Sequence, residues 1–155
     1  MPTVVAYEAP GWGVGELWFE GDRPIWHELP TRKLSLRASK NGRHPLVRRL
    51  QAYFAGEAVS FEDVSIEIDG TPFQHALADA LRDVPRGEVV TYGELAALAG
   101  RPGAARAAGT FCARNALPIF LPCHRVVAAD GLGSYGSSGV EYKRRLLALE
   151  GHAAF

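Results

Sequence analysis

Thr91-Tyr92-Gly93-Glu94-Leu95-Ala96-Ala97-Leu98-Ala99-Gly100-Arg101-Pro102-Gly103 decides how the second half of this chain folds. Thr91 with Glu94 three residues on is a capping box, in which each residue's side chain bonds the other's backbone N–H. The pattern predicts a helix over 92–99. Gly100 ends it, because glycine takes the left-handed conformation that closes helices. Arg101-Pro102-Gly103 turns the chain, and 104–114 reads as a second helix. Two short helices joined by a tight glycine-containing turn make a helix-turn-helix. The second is slim, with Ala104, Ala105, Ala107, Ala108 and Gly109 around one long side chain, Arg106. Such a helix suits close approach to a narrow groove, and equally suits close helix packing.

Downstream stands Pro122-Cys123-His124-Arg125-Val126-Val127. A thiol reacts as thiolate, and a free one titrates near pH ~8.5, so a reactive cysteine needs help. A neighbouring imidazole supplies it by taking the proton, directly or through water. Between the helices and this stretch lies Asn115-Ala116-Leu117-Pro118-Ile119; beyond it lie Gly131 to Tyr135 and Lys143-Arg144-Arg145-Leu146-Leu147-Ala148-Leu149-Glu150-Gly151.

In these motifs, their order and their spacing, the chain from about Phe73 to His152 resembles the O(6)-alkylguanine-DNA alkyltransferases, also called methylated-DNA–protein-cysteine methyltransferases. The resemblance implies direct-reversal DNA repair, in which the alkyl group of O(6)-alkylguanine passes irreversibly to Cys123. O(4)-alkylthymine is a secondary candidate substrate. It implies that His124 is the base, acting through water, that Glu150 orients it, and that Asn115 braces the turn between helix and active site. Tyr92 would crowd the target phosphate, assist its rotation out of the stack and donate to the flipped base. The second helix would enter the minor groove, with Ala104, Ala105, Ala107 and Gly109 close to DNA. Arg106 would fill the vacated stack, and Arg114 and Arg125 would also contact DNA. Pro118, Val126, Tyr135 and Ser137 would form the base pocket, with the carbonyls of Cys123 and Val126 accepting from the guanine amine. The covering loop, Tyr135-Gly136-Ser137-Ser138-Gly139, departs from the family's aromatic–small–Gly–Gly pattern, so the resemblance does not extend to pocket width. It implies a single-turnover protein with no cofactor, and double-stranded DNA as partner. The zinc-binding N-terminal cysteines of some members are missing here, so no metal is expected.

The chain has 155 residues with scattered prolines and glycines, enough for one or two small domains. The expected fold class is α/β in the α+β sense, a small strand-rich N-terminal α/β unit (1–69) followed by a mainly helical C-terminal domain (70–155). Thr3 to Tyr7, Gly15 to Phe19 and Pro24 to His27 alternate like strands, with Glu20-Gly21-Asp22 as a turn. Residues 31–44 read as a basic loop, and 45–54 as a helix with proline in its first turn. Val64, Ile66 and Ile68 alternate with polar residues, predicting a strand over 64–69. Phe73 to Leu81 reads as a helix. The N-terminal strands and three tryptophans are expected to build a supporting core without chemistry of its own.

Seventeen basic and seventeen acidic residues cancel, but they are segregated. Residues 95–129 hold Arg101, Arg106, Arg114 and Arg125 with no acid. Residues 29–56 hold Arg32, Lys33, Arg37, Lys40, Arg43, Arg48 and Arg49 with none. Such segregation can make a basic face on a neutral protein. The second segment is a candidate for DNA flanks or for contacts between neighbouring protein molecules on DNA. No apolar run approaches a membrane span and the start lacks a signal-peptide pattern. Two cysteines eleven positions apart make no disulfide framework, Cys112 reads as packing, and a cytoplasmic location is expected. A sequence-reading regulator would need base-contacting side chains that an alanine-rich helix lacks. A cysteine hydrolase would need an oxyanion hole that nothing in the sequence identifies. A non-catalytic lesion sensor would lack the cysteine.

Overall fold

The computed structural model describes residues 2–32 and 44–152, in two compact units, Met1–Glu67 and Ile68–Phe155. The first holds β1 (Thr3–Ala9), β2 (Gly13–Glu20) and β3 (Arg23–Thr31), an antiparallel sheet in that order. Alternation sends Leu17 and Phe19 inward. Over them packs α1 (Pro45–Phe54), burying Leu46, Val47, Leu50, Tyr53 and Phe54 at helical spacing. Each such side chain contributes about 1.5–3 kcal/mol. Tyr7 crosses the inner face to reach Nε2 of His27 at 2.6 Å. Its ring lies over its register partner Gly15, where a Cβ would meet Cζ at 2.6 Å. Glycine there is a packing requirement.

Three expectations change. Residues 64–69 form no strand: Val64 is buried and Ile66 and Ile68 half-buried, so the alternation is real, but among the described residues the segment joins no strand ladder. Alternation specifies an extended chain with one face packed; pairing needs an open edge as well. Of the three tryptophans only Trp12 joins the core, its ring 5.1 Å from Phe54 and its Nε1 donating to the Phe54 carbonyl. Trp18 and Trp26 stand directly opposite each other on the solvent face, 36% and 46% exposed. In the basic segment Arg49 is spent on Asp63 at 2.6 Å, and the expected loop lies largely at 33–43, outside the described residues.

The second unit holds α2 (Pro72–Arg82), β4 (Val90–Thr91), α3 (Tyr92–Leu98), α4 (Ala105–Ala113), β5 (Val126–Val127) and α5 (Val140–Leu149). Thr71 and Thr91 each close a capping box, on Gln74 and Glu94. In the second, Oγ1 of Thr91 accepts from Glu94 N at 3.0 Å, and Oε1 of Glu94 accepts from Thr91 N at 2.8 Å. Gly100 follows α3 with a positive φ of 97°. Helices α2, α3 and α4 pack on one another through Phe73, Leu77, Leu81, Leu95, Ala96 and Ala108. The parallel pairing Val90↔Val126 and Thr91↔Val127 ties the start of α3 to the segment after Cys123. The α+β class therefore holds.

Thr91→Ala removes one half of the α3 cap. It should lower the stability of the second unit by about 1 kcal/mol, read as a shift in its urea midpoint with no change in the first unit's transition.

Candidate active site

The site is built on a turn that reverses the chain between α4 and Cys123. Nδ2 of Asn115 donates to the Leu121 carbonyl and its Oδ1 accepts from Leu117 N, both at 2.8 Å. Leu121 N closes the turn on the Leu117 carbonyl, also at 2.8 Å. Inside it Ile119 sits at a φ of 78°, a conformation a β-branched residue adopts only when its surroundings impose it. The Asn115 bonds and burial of Ile119, Phe120 and Leu121 do so. The chain then enters a tight 3-10 turn, Cys123–Arg125, in which the Cys123 carbonyl accepts from Val126 N–H.

Cys123 is 3% exposed and His124 fully buried. Nε2 of His124 lies 2.7 Å from Oε2 of Glu150. Arg125 grips the same carboxylate with two bonds, Nε to Oε1 at 2.9 Å and Nη2 to Oε2 at 3.0 Å. Its Nη1 donates to the Val84 carbonyl at 2.7 Å. Arg125 was expected at DNA; its guanidinium is instead committed to a buried carboxylate, with only 13% of the side chain exposed. Residue type and position alone could not distinguish the two uses.

Burial lowers the His124 pKa, and Glu150 only partly offsets it, so the imidazole rests neutral. Burial alone would raise the Glu150 pKa, but the bonds from His124 and Arg125 hold the carboxyl well below the usual range. Since His124 is neutral, the cation balancing Glu150 is Arg125. A carboxylate accepts only, so Nε2 carries the proton and Nδ1 the lone pair. Burial pushes the Cys123 thiol well above its ordinary value and contact with the Cys112 thiol adds to this. The Asn115 side chain and the Lys143 ammonium oppose it. The acceptor thiol therefore rests protonated.

Lys143 went unnoticed in the sequence. It is completely buried, its Nζ donating to the Ser134 carbonyl at 3.0 Å and lying 5.6 Å from the centre of the Tyr92 ring. Burial pulls its pKa down to about 8. A signal was available: Lys143 and Glu150 share the apolar stripe of α5 with Leu146 and Leu147, where a charge needs a partner. Gly133 was also missed. Its φ is +75° and a Cβ there would stand 2.8 Å from the Tyr92 hydroxyl. Only glycine lets this loop meet Tyr92.

Tyr92 opens α3, half-buried, its ring beside Gly109 of α4, where a Cβ would come 3.8 Å from Cδ1. Ala105, Arg106, Ala107 and Arg114 are exposed, Ala104 and Gly109 half-buried. Pro118 is half-buried and Val126 fully buried. Ser137 is exposed in the 3-10 turn Gly136–Ser138. Tyr135 is half-buried, but its hydroxyl oxygen is buried without a hydrogen-bond partner among the described residues, and burial pushes its pKa well above the ordinary value. Among the described residues no three His, Cys, Asp or Glu side chains converge as a metal site requires. No helix among them is long and apolar enough to cross a membrane.

The fold and site thus define an α+β protein with a helix-turn-helix beside a buried cysteine, backed by an imidazole–carboxylate–guanidinium chain. Residues 72–152 match the family of the 6-O-methylguanine DNA methyltransferase DNA-binding domain, and this chain belongs to that family. A methylated-DNA–protein-cysteine methyltransferase of Methanosarcina acetivorans is 48% identical over 104 residues. That match takes in 67% of this chain and 66% of the relative, just under two thirds of its length. The crystal structure of the O6-methylguanine methyltransferase of Mycobacterium tuberculosis superposes with a TM-score of 0.82 at 35% identity, covering 97% of this chain and 93% of that one. A structure of the M. tuberculosis protein in complex with DNA gives 0.81 at 35% identity, covering 96% and 93%.

Two outcomes test the electrostatics. Arg125→Met removes a guanidinium whose charge opposes protonation of His124, so His124 should titrate at a higher pH than in the parent, read by NMR of the ring. Stability should fall by about 3–5 kcal/mol. In the parent, the unfolded His124 binds its proton near the ordinary value of 6.5 while the folded one binds it lower. Stability should therefore decline as pH falls below about 6.5. Glu150, also lowered, adds a further loss as pH falls below the unfolded carboxylate range. Urea unfolding at pH 7.5 and pH 5 measures the first loss and at pH 3.5 the second, and His124→Gln should flatten the first part of the slope.

Proposed function

We propose that this protein repairs alkylated DNA by transferring the alkyl group of O(6)-alkylguanine to Cys123, once per chain. The observation that carries the reading is the Cys123 thiol held on the Asn115-braced turn beside the His124–Glu150–Arg125 chain. The methyltransferase names of its relatives, and DNA bound to the M. tuberculosis protein, point the same way.

The O(6) atom of guanine lies within the duplex, so a buried thiol reaches its alkyl carbon only if the nucleotide leaves the stack. That costs a few kcal/mol, less where the lesion already weakens pairing. Arg106, exposed on the slim α4, would occupy the gap, and Tyr92 at the start of α3 would crowd the phosphate. Ala105, Ala107 and Gly109 allow the helix backbone to approach a narrow groove, and Arg114 adds a phosphate partner. Pro118, Val126, Tyr135 and Ser137 surround the extruded base, and the unpartnered Tyr135 hydroxyl gives that pocket a free polar group.

His124 Nδ1 takes the Cys123 proton through water, and Glu150 stabilises the imidazolium formed. Asn115 and Lys143 favour the thiolate. The sulfur attacks the alkyl carbon in line, the carbon–oxygen bond breaks, and its electrons pass to the guanine oxygen. Tyr92 donates to the leaving base. The product is a thioether, and no neighbouring group can cleave it, so the protein is consumed. Because the thiol is neutral until the relay acts, it is spared reaction with stray electrophiles. The same logic places the protein in a reducing compartment such as the cytoplasm, with 1–69 as structural support for 70–155.

Mixing the protein with an equimolar duplex carrying one O(6)-methylguanine should add one methylene to Cys123, saturating at one per chain by intact mass and peptide mapping. Cys123→Ala should add none. Binding of the duplex with no mass gain in the parent would point to a lesion sensor or to a different substrate, and would overturn the reading. Arg106→Ala should slow transfer from the duplex by about tenfold or more, a loss of ~1.4 kcal/mol of barrier lowering per decade. Transfer from a free O(6)-alkylguanine base, which needs no flipping, should hardly change.

A further inference from the structure

None of the residues proposed for alkyl transfer lies in the first unit, and the outer face of its sheet carries an unusual set of side chains. The register sets Val4, Trp18 and Trp26 side by side in one row, and Ala6, Glu16 and Glu28 in the next. The rows are two residues apart along each strand, about 7 Å, and neighbouring strands lie about 4.8 Å apart. Trp18 and Trp26 keep 36% and 46% of their surface in water. Glu16 is half-buried and Glu28 exposed. Nε1 of Trp26 donates to Oε1 of Glu28 at 2.7 Å, which holds that carboxylate against the edge of the indole. Glu8 stands exposed one row further along.

This face is aromatic and negative at once. Glu16 and Glu28 are register partners, and like charges directly opposite each other destabilise a sheet. Among the described residues no Lys, Arg or His pairs with Glu8, Glu16 or Glu28. At the hairpin end, Arg23 is divided between Glu20 at 3.5 Å and Glu67 at 3.0 Å. An indole face attracts a cation better than any other aromatic ring does. A guanidinium can stack on that face and fork onto a carboxylate beside it, which an ammonium cannot do. The row of tryptophans and the row of glutamates therefore supply the two halves of an arginine site. The same carboxylates repel phosphate, so the face does not suit DNA.

We propose that the sheet face around Trp18, Trp26, Glu16 and Glu28 docks an arginine-rich segment of a partner protein. Guanidinium groups stack on the two indoles and bridge the two carboxylates. The bound cation cancels the Glu16–Glu28 repulsion, so a cost borne by the free chain is relieved only in the complex. Covering the indoles removes exposed apolar surface from water, and tryptophan and arginine are the side chains that most often dominate interface energies. Docking here is independent of alkyl transfer to Cys123.

The full chain, free of DNA, is titrated with a peptide that alternates arginine and serine, and binding is followed by tryptophan emission and by calorimetry. Emission should change saturably, and affinity should fall about tenfold from low to high salt, because the charges that meet are exposed. A peptide alternating glutamate and serine should not bind. Trp26→Thr keeps a strand-forming residue, and the double variant Glu16→Gln with Glu28→Gln keeps side-chain size. Each should weaken binding of the arginine peptide by about tenfold or more. Circular dichroism checks that both variants fold, and the double variant should unfold at a higher urea concentration than the parent, since the facing charges are gone. Absence of a saturable change with the arginine peptide overturns the proposal, and so does an affinity that neither variant alters. Two other occupants overturn it as well. One is a second copy, seen as a dimer of the chain alone that Trp26→Thr dissociates in sedimentation. The other is the chain's own Lys33, Arg37, Lys40 and Arg43, if the peptide binds only after these are replaced by serine. No arm of the test uses alkylated DNA, so a failure here is separate from a failure of methyl transfer to Cys123.

Discussion

The Glu150 carboxylate is the point on which the second unit hangs. It lies at the C-terminal end of α5, its side chain fully removed from water, and binds two consecutive residues of the Cys123–Arg125 turn. Burying a charge is costly unless its partners are good. Here they are a bidentate guanidinium and an imidazole N–H. The same corner is fastened by Arg86 Nη2, which donates to the Leu149 carbonyl at 3.1 Å. The interaction that sets the tautomer of His124 is therefore also the one that joins the last helix to the cysteine turn. Chemistry and architecture share one carboxylate.

What the site gains from this is a settled charge state before any substrate arrives. Arg125 neutralises Glu150, so His124 need not be protonated at rest and keeps its lone pair. Lys143 brings a second cation towards the thiol at the expense of its own solvation. The cysteine is disfavoured as thiolate by burial and favoured by Asn115 and Lys143, and burial prevails. A base is thus present and unprotonated, and the nucleophile is present and unionised.

Local rules made much of this readable. Thr91–Glu94 announces its helix because a capping box uses only residues within one turn, and Gly100 ends that helix for an equally local reason. The spacing of Leu46, Val47, Leu50 and Phe54 needs no tertiary knowledge to mark one buried face. The resemblance brought Cys123, His124 and Glu150 together as a set. What stayed hidden depends on which groups meet in space. Val64, Ile66 and Ile68 alternate as a strand would, but no sequence rule reveals whether an edge is open to them. Trp18 and Trp26 read as core by type and stand outward because of register. Arg125 and Lys143 take their roles from partners that lie far from them in sequence.

The two-residue parallel pairing of β4 with β5 carries a consequence of its own. Thr91 belongs at once to that pairing and to the cap of α3, and Val126 follows directly on the cysteine turn. The element proposed to meet DNA and the element proposed to hold the acceptor sulfur are therefore rigidly geared through four backbone residues. A distortion imposed on Tyr92 by a bent duplex would be transmitted to Cys123 as displacement instead of being absorbed by a flexible joint. Recognition and reactivity in this fold share one mechanical linkage, so a substitution that retunes one will carry the other with it.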